Sequence, residues 1–192
     1  HLFTGHNNLD YNVTRDPNLY EHNTPAVCAT WWWTSKNGYA DNMTCKDGTP
    51  AGYGIYDFDG DRLSWQYKTI GKDADYQFRT YDLNECQITA AKYAPDADET
   101  DVIPYAGAYA KKSNSNQVLI NVWNYDPSWK VEVTEGGTGL PVKRVSAKDP
   151  LHIVSYEMMR LKNGDKPTKV FITDTTSHLF LTQASSPKST LT

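Results

Sequence analysis

Apolar and polar residues alternate with a period of two along most of this chain, and that period predicts strands. The clearest case covers residues 54–67. Tyr56, Phe58, Leu63, Trp65 and Tyr67 fall on one face, and Ile55, Asp57, Arg62, Ser64 and Gln66 fall on the other. Asp59-Gly60 or Gly60-Asp61 supplies the tight turn between them. One apolar face and one mixed face is what a half-buried antiparallel sheet requires. A second hairpin is expected from 118–123 and 129–134 around Asn124-Tyr125-Asp126-Pro127-Ser128, because Trp129, Val131 and Val133 alternate with Lys130, Glu132 and Thr134. Residues 76–81, 86–89, 142–145, 170–173 and 179–182 predict further short strands.

Three stretches depart from this period. Residues 94–101 are acidic and lack large apolar groups, and 111–116 are polar, so loops or a linker are expected, with a boundary near 85–115. Residues 149–164 open on Asp149-Pro150, an N-cap followed by proline at the first helical position, and close on Asn163-Gly164. They predict one short helix over 151–162. The fold class is therefore all-β, built of antiparallel β-sandwiches with a single helical insertion.

Composition narrows the function classes. A chain of 192 residues that is 39% hydrophobic and 12% aromatic has the material for a globular core. Nineteen Lys and Arg against 23 Asp and Glu give a formal charge of −4 with no basic run, so no nucleic-acid partner is expected. No apolar run approaches the ~20 residues of a membrane span. No basic stretch followed by an apolar one reads as a signal peptide within these residues. The cysteines, Cys28, Cys45 and Cys86, match no zinc spacing. A Cys28–Cys45 bridge and three buried thiols both stay open, with buried thiols the default. The Asp-rich turn at 57–61 lacks the Glu that closes an EF-hand loop.

Candidate chemistry begins at the N-terminal end. An apolar stretch runs into a turn as Leu2-Phe3-Thr4-Gly5-His6, followed by Asn7 and Asn8. This string resembles the last metal-binding motif of calcineurin-like metallophosphoesterases, in which a strand ends in Gly-His-x-His. Other rare strings resemble the branch found in the envelope of Bacteroides-like bacteria, which carries an extra C-terminal domain. They are Glu21-His22-Asn23-Thr24-Pro25 running to Trp31-Trp32-Trp33, Cys45-Lys46-Asp47-Gly48-Thr49-Pro50, 76–82, and Asn121-Val122-Trp123-Asn124-Tyr125-Asp126-Pro127. The resemblance covers residue 2 to about residue 185.

The resemblance implies a role for each candidate. His6 is the motif's metal ligand, while Asn8 stands where the family has its second histidine and offers only an amide oxygen. His22, Trp31 and Trp33 are candidates for the substrate side of the site or for groups behind its ligands. Trp31 and Trp33 share one strand face. Their alternative, with Trp123 and Trp129, is packing between sheets. His152 and His178 read as structural histidines. A divalent metal pair (manganese, zinc or iron) is expected only in the full-length enzyme, since most ligands precede the motif, and none is expected in this chain.

The implied organisation is two parts. Residues 1–90 hold closing strands or an extension of the metallophosphoesterase domain. Residues 91–192 form an immunoglobulin- or fibronectin-like accessory sandwich. The implied partner is an upstream catalytic domain of the same polypeptide, and the implied place is the periplasm or cell envelope. A carbohydrate- or surface-binding module is the alternative. An independently active enzyme lacks a visible nucleophile–base set, with no Gly-x-Ser-x-Gly and no phosphate-binding glycine loop.

Overall fold

A computed structural model of the chain describes residues 1–5, 9–25, 34 and 43–192. Strands dominate, in several mostly antiparallel sheets with a few short helices, as the period-2 pattern requires. The first sheet is small. It joins β1 (Leu2–Thr4), β2 (Tyr11–Asp16) and β3 (Leu19–Asn23) in the order β1-β3-β2. β2 and β3 form an antiparallel hairpin, while β1 lies parallel to β3 with Phe3 opposite His22.

β4 (Gly52–Asp59) and β5 (Arg62–Thr69) are the hairpin legible at 54–67. Their register sets Tyr56 opposite Trp65 and Phe58 opposite Leu63, and the chain reverses through Gly60-Asp61. Burial grades along it. Tyr67 is fully buried at the base, whereas Phe58 near the tip is 64% exposed.

The largest sheet is antiparallel, in the order β10-β11-β7-β6, from β6 (Phe78–Asp82), β7 (Gln117–Val122), β10 (Lys143–Lys148) and β11 (Thr175–Gln183). It takes β6 from the first 90 residues and its other strands from 91–192. One face carries Ile120, Tyr125 and Phe180, with Val118, Val122, Trp129 and Val131 packed against them. A groove of about 410 Å³, lined by Phe78, Trp129, Val131 and Leu191 among others, runs over that face. Helices build a second core from Ile88, Ala94, Val102, Ala106, Ile153, Met158 and Leu161.

Several local expectations are corrected. The second hairpin does not pair 118–123 with 129–134. β7 gives both its edges to β6 and β11, so Trp129 and Val131 contribute packing and no ladder. The hairpin that does form there joins β8 (Val133–Glu135) to β9 (Thr138–Leu140) through Gly136-Gly137. Both glycines have positive φ, +55° and +84°, which that type of two-residue turn needs. Residues 170–173 form no strand, and 170 and 171 lie in a short 3₁₀ turn, Lys169–Phe171. Residues 86–89 form no strand and lead into α1 (Ala90–Tyr93), capped by Thr89. The acidic stretch at 94–101 runs into α2 (Glu99–Ala106), whose first-turn Glu99 and Asp101 suit the positive end of the helix dipole.

The helix expected at 151–162 is present. It runs as α3 (Pro150–Ile153), a π turn at Val154–Met158, and α4 (Met159–Lys162). Asp149 caps it by accepting from the His152 backbone N–H.

Candidate functional site

The described residues on either side of His6 are held in place. Residues 6–8 lie outside the described residues, so His6 and Asn8 do too, but the residues flanking them are well tied. Thr4 Oγ1 sits 2.7 Å from Glu21 Oε1 and 3.1 Å from Asn23 Oδ1. The Asn23 side-chain amide donates to the Leu9 carbonyl, so one residue of β3 bridges Thr4 and Leu9. The Thr24 N–H adds a 3.1 Å bond to the Thr4 carbonyl. Glu21 is itself held by Arg15, which pushes its carboxyl below the usual range.

A second anchor follows. The Asp10 N–H donates to Asp47 Oδ2 at 2.9 Å, and Asp10 Oδ2 accepts from the Asn124 N–H at 2.6 Å. Asn12, one strand position on, donates its amide to the Asn124 and Tyr125 carbonyls and to Asn124 Oδ1. The chain just past His6 is thus bonded directly to the 47–49 loop and to the end of β7.

His22 is buried in an aromatic cage. Phe3 stacks on it at 5.0 Å, and Trp65, Tyr20 and Tyr56 present edges or faces within 5.4 Å. Asn12 sets its tautomer. The Asn12 amide nitrogen is fully used as a donor, so its Oδ1, 2.8 Å away, accepts from His22 Nδ1–H. That leaves the Nε2 lone pair facing His1 Nδ1 at 3.0 Å. Burial pushes His22 down, so the ring is neutral near pH 7. This arrangement orients an imidazole but encloses it.

Beneath lies a buried polar network that sequence reasoning did not assemble. His178 comes from β11, where one extra residue between Thr176 and Leu179 breaks the pairing with β10. Such a bulge re-aims a side chain. His178 Nδ1 lies 2.7 Å from Asn121 Oδ1, and its Nε2 lies 3.6 Å from Asp47 Oδ2. The Asn121 amide donates to the Asp47 carbonyl and to Asp149 Oδ2, each at 2.9 Å. Tyr81 donates to the same Asp149 oxygen at 2.6 Å. Arg79 bonds the Gly48 carbonyl and lies over the buried Trp123 ring at 5.0 Å.

Charge in this network is uneven. Burial pushes Asp10 up, and neighbouring Asp47 pushes it further, to about 7. Burial also opposes ionisation of Asp47, but His178 outweighs it and brings the carboxyl down to about 2. The strings around Asp47 and Asn121-Asn124 were visible in the sequence. What hid the site was distance along the chain, since six separate segments supply it.

The other candidates are placed as follows. His152 is buried and bonded to Thr173, so it is structural. Trp123 is fully buried, and Trp129 stacks on Trp65 at 5.8 Å, so both are packing residues. Trp31, Trp33 and Cys28 lie outside the described residues. Cys45 is fully buried, and burial pushes the half-buried Cys86 thiol up to about 11. Among the described residues no group of three or more His, Cys, Asp or Glu could hold a metal ion. The described part of the chain therefore does not fit a metal centre. No helix among those residues is long and apolar enough to cross a membrane.

The family model for the C terminal of calcineurin-like phosphoesterase matches residues 21–192. The chain belongs to this family. The match begins inside β3, so β1, His6 and β2 lie ahead of the phosphoesterase C-terminal region, while Asn23, Asp47, Asn121, Asn124 and His178 lie within it. Every hydrogen bond from Asp10 and Asn12 to Asp47, Asn124 or Tyr125 therefore crosses that boundary. No curated protein and no solved structure matches the chain.

Proposed function

We propose that this chain is the non-catalytic C-terminal region of a metal-dependent phosphoester hydrolase, and that it supports the active site by holding the residues on either side of His6. One observation carries the reading. The residues on both sides of His6 are tied to the family's C-terminal region, Thr4 and Leu9 through Asn23, and Asp10 through Asp47 and Asn124. A ligand-bearing segment must stay within about 0.5 Å of its productive position. Anchors outside a catalytic domain are one way to keep it there.

The divalent metal pair belongs, in this reading, to the upstream catalytic domain, and His6 is its contact from this side. Leu2 and Phe3, on opposite faces of β1, are 41% and 45% exposed, and Phe58 stands beside Phe3. These are the surfaces we assign to that domain. Secretion to the periplasm or cell envelope is part of the same proposal, and cell fractionation tests it. A carbohydrate- or surface-binding role draws no support from the fully buried Trp123, and Trp129 is stacked on Trp65.

The test is made in the polypeptide that includes the catalytic domain. Asn23→Ala should lower kcat at least tenfold, in line with the ~10–100-fold typical of groups behind metal ligands, while the circular dichroism spectrum is retained. A catalytic domain that keeps full kcat after removal of residues 21–192 would refute the supporting role.

A further inference from the structure

The buried ion cluster behind the second anchor carries an inference beyond support in general, and it rests on the reading above. Begin with the protons. The Asn121 amide nitrogen is spent on Asp47 and Asp149, so Asn121 Oδ1 is an acceptor and His178 Nδ1 is the donor. That fixes one proton. His178 Nε2 then faces Asp47 Oδ2 at 3.6 Å, fully buried, with no other polar atom among the described residues to satisfy it. A lone pair aimed at a buried carboxylate is repulsive, whereas an N–H there is attractive. His178 is therefore held as the imidazolium.

Now follow its charge outward. Asp47 Oδ2, the oxygen nearest His178, is also the oxygen that accepts the Asp10 N–H. Asp47 Oδ1 accepts from the Thr49 N–H. Asp10 itself is a second buried acid beside Asp47. Two buried acids cannot both stay ionised beside each other without a cation. We propose that His178 and Asp47 are positioning residues for the phosphoesterase active site, acting through Asp10 on the stretch of chain that leads from His6 into β2.

Other groups around His178 agree with this assignment. Asp47 comes from the 47–49 loop, Asp10 from the segment before β2, Asp149 from the cap of α3, and Asn121 from β7. Tyr81 and Arg79 of β6 lie beyond Asp149. Tyr67 and Cys45 stand behind the two carboxylates. Burial alone would push His178 down, but Asp47, Asp10 and Asp149 together push it up. A group raised in this way holds its contribution below its unfolded value, and loses it as pH rises through the folded value. The anchor should then loosen on the alkaline side.

The polypeptide with its catalytic domain is the object of the test. His178→Gln keeps a donor for Asn121 but carries no charge. We expect kcat at pH 6.5 to fall about tenfold, and the alkaline limb of the kcat profile seen in the parent to flatten. In the parent, hydrogen-exchange protection of the Asp10 and Asn124 amides, corrected for intrinsic rate, should fall together from pH 6 to pH 9. This second measurement needs no variant and stands if His178→Gln does not fold. Constant protection across that range overturns the proposal. So does a His178→Gln profile that overlays the parent. If Asn23→Ala still lowers kcat in that case, the supporting role stands and only the His178 assignment fails. An enzyme indifferent to both substitutions removes both.

Discussion

Gly48 holds a φ of +89°, and a β-carbon built on it would lie 2.2 Å from the Asp149 carboxylate and 2.5 Å from the Asn121 amide. Glycine is required there twice over, by backbone and by space. Gly48→Ala should destabilise the chain by about 2–4 kcal/mol, measured as the loss in urea unfolding free energy; a loss below about 0.5 kcal/mol would show that the loop can relax. His152 gives a pH-dependent test at the same scale. Burial brings it down to about 3 from 6.5, so the unfolded chain binds a proton that the folded chain refuses. Its contribution is present above pH 6.5 and is lost as pH falls towards 3. Glu157, pushed up by burial to about 7 from 4.5, acts in the opposite sense between those values. The urea midpoint of His152→Gln should therefore fall less steeply than that of the parent below pH 4.5, where the Glu157 contribution is complete and no longer changes with pH. Equal slopes would contradict the neutral, buried assignment.

At the scale of elements, legibility followed how local the cause was. The β4–β5 hairpin and the helix from Pro150 are written in neighbouring residues, in alternation and a glycine turn for one and in Asp149-Pro150 for the other. The pairing of β7 is not local. Val118, Ile120 and Val122 look the same to a reader whether their partner is 129–134 or strands far along the chain, and only the competition for both edges of β7 decides it. The bulge that aims His178 has no sequence signature at all, and His6 with Asn8 was readable only through resemblance. Asp149 concentrates several of these long-range causes in one cap. It accepts from Tyr81, Asn121 and the His152 N–H, and joins β6, β7 and α3. Asp149→Ala should cost about 3 kcal/mol or more, beyond the ~1 kcal/mol of an ordinary cap. Thermal unfolding read at 222 nm, with Ser at the same position as the cap-only control, separates the two contributions. If Ser restores full stability, the links to β6 and β7 carry nothing.

For the whole molecule, the strand-rich architecture and the family match describe a body whose described residues gather three apolar clusters and one polar seam. The purified chain should not hydrolyse p-nitrophenyl phosphate or bis-p-nitrophenyl phosphate above background, with or without manganese or zinc. Turnover at ordinary enzyme rates of ~1–1000 per second, abolished by a chelator, would mean that these residues make a complete site. The polar seam also limits how such proteins can be recombined. The family match starts at residue 21, in mid-strand, whereas the hydrogen-bonded unit includes Phe3, Asp10 and Asn12. A chimera spliced at residue 21 would inherit Asp47, Asn124 and His178 from one parent and the acid they grip from another. Crossovers ahead of Leu2 should yield soluble hybrids and those at residue 21 should not, which would set the border of the folding unit ahead of the border of the family match.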